Sequence, residues 1–79
     1  MKVGTVTHYY DKIGVAIVKA DKAIKVGDKL RFGEEEKGFI QEASSMQFDH
    51  KPVEGAKKGQ EVGIKVDQKV RQGTPVFSA

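Results

Sequence analysis

Two histidines, His8 and His50, stand 42 positions apart in a chain of 79 residues that has no cysteine. A catalytic zinc needs three protein ligands and an open position, so Asp11 or Asp49 would have to complete such a site, and no spacing demands it. Without a thiol there is neither a cysteine nucleophile nor a sulfur-ligated metal. His8, on a Thr- and Tyr-rich segment, is expected to pack half-buried, and His50 to hydrogen-bond the backbone of a loop. Ser44-Ser45 has no flanking glycine elbow and reads as a bend in a strand rather than a nucleophile. Gly55-Ala56-Lys57-Lys58-Gly59 is too short for a phosphate-cradling G-x-x-x-x-G-K-[ST] loop, and no Ser or Thr follows it. Glu34-Glu35-Glu36 offers carboxylates, but acid–base work needs them in a pocket. The expectation is a chain that is not an enzyme, with no catalytic residue, no metal and no cofactor.

The remaining chemistry is cationic. Residues 1–50 carry eight Lys/Arg and eight Asp/Glu, whereas residues 51–71 carry six against three, so the whole surplus of +3 lies in the last third. Lys51, Lys57 and Lys58 fall in one expected loop and Lys69 and Arg71 in the next. If these loops meet at one end of the fold they form a single basic patch able to neutralise phosphates. These five residues are the candidate RNA contacts. Tyr9 and Tyr10 alternate across a strand, so one of them points outward and could stack on a base or pair with a cross-strand neighbour.

The elements that must carry these residues are strands. Ten Val and five Ile stand against one Leu, a skew toward side chains that suit a pleated sheet. Lys2–Tyr10 and Gly14–Ala20 read as a hairpin turning at Asp11-Lys12-Ile13-Gly14. Residues 21–26 cross to a turn at Gly27-Asp28, and Lys29-Leu30-Arg31-Phe32 alternates with Leu30 and Phe32 inward. Gly33–Gly38 is a hairpin tip. Phe39–Asp49 is the longest strand, with a β-bulge or bend near Ser44-Ser45 that lets both Ala43 and Met46 face inward. Asp49–Gly59 reads as a loop, Val62, Ile64 and Val66 as the inward positions of another strand, and Pro75-Val76-Phe77 as the last. No segment has the 3.6-residue period of a helix. The expected fold is all-β: one domain over residues 1–79, a small closed six-stranded Greek-key barrel whose interior is filled by side chains. No apolar run approaches the ~20 residues of a membrane span, and Met1-Lys2-Val3 leads straight into patterned sequence, so a cytoplasmic protein is expected, with no membrane partner.

Four pieces in order, Val3-Gly4-Thr5-Val6-Thr7, Ile24–Leu30, Ala56–Ile64 and Val70–Val76, resemble the second, β-barrel domain of translational GTPases such as elongation factor Tu. Through His8-Tyr9-Tyr10, Lys12–Ala16 and Ser45-Met46-Gln47 the chain is similar to stand-alone translation elongation factor-like proteins. A similar module also occurs as an accessory domain in collagenase-like peptidases. The resemblance implies a Greek-key barrel without the nucleotide-binding domain, hence no GTP hydrolysis, and a translation-related partner such as RNA or the ribosome. The leading expectation is a non-enzymatic RNA or ribonucleoprotein binding module. The alternative is a protein–protein adaptor barrel serving a GTPase-like or peptidase-like partner, with its working face an apolar patch around Tyr9, Tyr10 or Phe77.

Overall fold

Val and Ile carry two heavy atoms on Cβ, which favours extended backbone, and the buried core is built chiefly from them. A computed structural model describes residues 2–34, 38–48 and 51–79. The chain order is β1 (Lys2–Tyr10), β2 (Val15–Ala20), β3 (Ile24–Lys25), β4 (Lys29–Phe32), β5 (Phe39–Glu42), β6 (Met46–Phe48), β7 (Lys51–Val53), β8 (Gly55–Ala56), β9 (Glu61–Lys65) and β10 (Pro75–Ser78). Eight of these make one curled antiparallel sheet in the order β5-β4-β10-β1-β2-β9-β6-β7, and β3 pairs with β8 as a separate ribbon. Among the described residues no helix is long and apolar enough to cross a membrane. The all-β expectation holds.

Alternation decides which side chains meet. Ala16, Val18 and Ala20 of β2, Leu30 and Phe32 of β4, Val62 and Ile64 of β9, and Val76 of β10 are all buried in one apolar cluster. Phe39 packs against that cluster, its ring stacked 5.5 Å from that of Phe32. Among the described residues no buried one is polar or charged. The β1–β2 reversal closes as expected, with the N–H of Gly14 donating to the carbonyl of Tyr10 at 2.9 Å and Gly14 at φ 66°. That left-handed conformation is one that glycine adopts without a Cβ clash.

The strand count differs from the expected six: the stretch expected to cross over residues 21–26 contains the two-residue β3, and two further stretches divide differently. The stretch expected as one strand from Phe39 breaks at residues 43–45 into β5 and β6, so that it can leave one edge of the sheet and join β9. Ala43 and Met46 are both buried on either side of that break, as the three-residue spacing requires. The expected loop between residues 49 and 59 instead contains β7 and β8, each two or three residues long, paired to β6 and β3. Glu35, Glu36, Lys37, Asp49 and His50 lie outside the described residues, and with them most of the acidic tip and the second histidine.

Burial sets the stability contrast between the two faces. Phe32→Ala should cost about 3–5 kcal/mol through lost burial and a residual cavity. Ile40→Ala, at a position 65% exposed, should cost about 0.5 kcal/mol or less. Urea unfolding followed by circular dichroism measures both; equal costs would mean that the core is not where β4 places it.

Candidate functional site

The pairing of β1 with β2 contains one irregularity. Val6 opposes Val18, but the next pair is His8 with Ile17, so β1 has one residue more than its partner, Thr7. Side chains alternate with period two, so an extra residue exchanges the two faces beyond it. Tyr9 therefore opposes Ala16 and packs against the core, while Tyr10 opposes Val15 and lies outside, 48% exposed. His8 is exposed as well, correcting the expectation of a half-buried packing residue. Its Nδ1 lies 3.1 Å from the Thr7 carbonyl oxygen, and its ring meets that of Tyr10 edge-on at 5.3 Å. The Thr7 hydroxyl has one proton to donate, to the Glu61 carboxylate at 2.9 Å or the Ile17 carbonyl at 3.3 Å.

Beyond the bulge, the outer face of β2, β9 and β6 carries an apolar groove. Its floor is Gly63, which pairs with Ile17 on one side and Gln47 on the other. A Cβ at Gly63 would stand 3.0 Å from Val15 Cγ1 and 3.4 Å from Ile17 Cδ1, so the side chains of β2 already lean over this bare position. Tyr10, Ile13, Val15, Ile17, Gln47, Phe48 and Glu61 complete a hollow of about 610 Å³. A second hollow of about 350 Å³ shares Ile13, Val15, Gln47 and Gly63 with it and adds Ser45 and Lys65. Ile13 and Phe48 are 63% and 47% exposed. Large apolar side chains clustered in the open are characteristic of an interaction surface rather than of an unused one.

The sequence anticipated only part of this surface. Tyr10 lies on it, whereas Tyr9 is packed inward and Phe77 is half-buried, with the Arg31 guanidinium 4.7 Å over its ring. Ile13, Val15, Ile17, Phe48 and Gly63 were not singled out. Ile13, an isoleucine in an otherwise polar tight turn, was the available signal. The basic candidates are all exposed. Lys51 opens β7 opposite Phe48. Lys57 and Lys58 occupy a turn held to the end of β2 by the Gly59 N–H donating to the Ala20 carbonyl at 2.7 Å. The segment with Lys69 and Arg71 leaves β9 at its other end, where the Val66 N–H donates to Gly14, and returns alongside Val6. Ser44 and Ser45 form the corner between β5 and β6. Among the described residues no three His, Asp or Glu side chains are grouped so as to hold a metal ion.

No family model matches the chain. It is 37% identical over 78 residues to an uncharacterized protease of Methanocaldococcus jannaschii, a match that covers 98% of this chain but 19% of the protease. The chain thus spans about a fifth of that relative. Its fold is that of the C-terminal domain of a putative U32 peptidase of Geobacillus thermoleovorans: TM-score 0.88 at 23% identity, covering 96% of each chain. A second crystal structure of that domain gives TM-score 0.88 at 21% identity, covering 98% of this chain and 90% of the other. These findings correct the resemblance to the second domain of translational GTPases and to elongation factor-like proteins. Near-full-length similarity runs to a protease and a peptidase domain, and the translation and RNA-binding expectation that rested on the other resemblance falls with it.

The groove has a direct readout. An environment-sensitive apolar dye should bind the native protein with enhanced fluorescence, and Ile13→Lys with Phe48→Lys should cut that signal several-fold. Because both side chains are largely solvent-exposed, each change should move stability by about 0.5 kcal/mol or less. An undiminished signal in the folded double variant would place the exposed apolar surface elsewhere.

Proposed function

We propose that this chain is a non-catalytic accessory domain that docks on a peptidase-like partner through the groove of Tyr10, Ile13, Ile17 and Phe48. The observation that carries the reading is the groove itself, an apolar surface outside a domain in which, among the described residues, no polar side chain is buried. The relatives support the choice of partner, since the chain is similar to one fifth of a protease and folds like a peptidase C-terminal domain. In this reading hydrolysis belongs to the partner, and the cysteine-free chain works in the cytoplasm. The closed Greek-key barrel is part of the same proposal. β5 and β6 act as two halves of one bent strand, and the curl is drawn shut by the β3–β8 ribbon, which the Val26 N–H extends by donating to the Glu54 carbonyl at 2.8 Å.

Tagged protein drawn from extracts of its own source, with nuclease and without, tests this. Mass spectrometry should identify a peptidase-like chain in both samples, depleted several-fold by the Ile13→Lys, Phe48→Lys pair. The purified chain alone should not hydrolyse denatured collagen or casein above the blank. Capture that vanishes with nuclease, or intrinsic hydrolysis by the isolated chain, would defeat the reading.

A further inference from the structure

The groove's place in the sheet restricts what can occupy it. It lies over β2, β9 and β6, and each of these strands has a hydrogen-bonded neighbour on both sides. None presents a free edge there, so an extended peptide laid across the groove would find no ladder for its own N–H and C=O groups. Buried without partners, those groups oppose binding. An α-helix satisfies its backbone internally and offers only side chains to the surface, which is the helix-in-groove mode of recognition.

The lining of the groove holds one acidic and one basic residue. Glu61 lines the larger hollow and Lys65 the smaller one, and between them on the same outer face of β9 lies bare Gly63. Glu61 reaches across β2 to the Thr7 hydroxyl at 2.9 Å, which holds its carboxylate over the Ile17 end. Lys19 opposes Glu61 on β2 but does not line either hollow. Four extended residues span about 13 Å, the rise of about nine helical residues. A helix carries partial positive charge at its N-terminus and partial negative charge at its C-terminus.

We infer that the groove receives one amphipathic helix of the partner, lying parallel to β9 with its N-terminus at Glu61 and its C-terminus at Lys65. Apolar side chains at i, i+4 and i+7 of that helix fill the trough over Gly63 between Val15 and Phe48. The inference rests on the accessory-domain reading and adds to it the partner's secondary structure and its direction.

The test uses the whole chain and a defined probe: a capped, helix-forming Ala/Gln peptide of about 14 residues with Leu at i, i+4 and i+7. Amide shift changes should saturate and centre on Ile13, Val15, Ile17 and Phe48. A nitroxide at the peptide's N-terminus should broaden Glu61 more than Lys65, and one at its C-terminus should do the reverse. Exchanging the charges by Glu61→Lys with Lys65→Glu should invert that polarity, and Glu61→Lys alone should weaken binding about two- to fivefold. The inference is overturned by equal binding of a proline-interrupted peptide of the same composition, by the opposite or no polarity, or by no saturable shift. Capture of a peptidase-like chain from extract is read separately, so a partner found without helix binding removes only this inference, and helix binding without such a partner removes only the reading beneath it.

Discussion

An extra residue in a β-strand exchanges the faces of everything that follows it, and Thr7 is such a residue in β1. Continued without it, the strand would turn His8 and Tyr10 toward the core and Tyr9 toward solvent. With it, Tyr9 packs inward and His8 and Tyr10 join the outer side of β2. The same residue supplies the hydroxyl that reaches Glu61 of β9, so one irregularity both exposes an aromatic wall and positions the acidic residue of the groove.

The inside and the outside of this small domain have divided their work. Aliphatic side chains fill the interior, and among the described residues the buried set contains nothing polar; such a core stabilises the fold. The outer face is where the proposed recognition takes place. There a glycine between two side-chain-bearing strands leaves a trough, and residues that a purely structural surface would make polar are Ile13 and Phe48. At the far side of the sheet the aromatic Phe77 is covered by Arg31, and the contrast makes the uncovered groove the more informative surface.

The resemblance to a translation factor domain has a structural origin. The pieces that carried that resemblance make turns and close approaches. Asp28 accepts the Lys25 N–H through its carboxylate at 2.9 Å, and a Cβ at Gly4 would stand 2.7 Å from the Lys19 carbonyl oxygen. Residues chosen for backbone geometry report a fold, and a fold is shared by domains with different partners. The 37% identity to an uncharacterized protease, by contrast, runs over 98% of the chain.

Alternating residues were enough to find β1, β2, β4, β9 and β10, to place Leu30, Phe32, Val62, Ile64 and Val66 inside, and to require a break between Ala43 and Met46. These follow from local rules of period two, which need no knowledge of what lies across the sheet. The short strands β7 and β8 escaped detection because Pro52 and Gly55 are poor strand formers, and it is pairing with β6 and β3 that makes them strands. The groove escaped for a similar reason. Tyr10, Ile13 and Ile17 belong to one hairpin and Phe48 to the distant β6, and only the Thr7 register shift together with the β2–β9–β6 order sets them around Gly63. Parity along a strand is written in neighbouring residues; which strands adjoin, and in what register, is settled by packing between residues far apart in the chain.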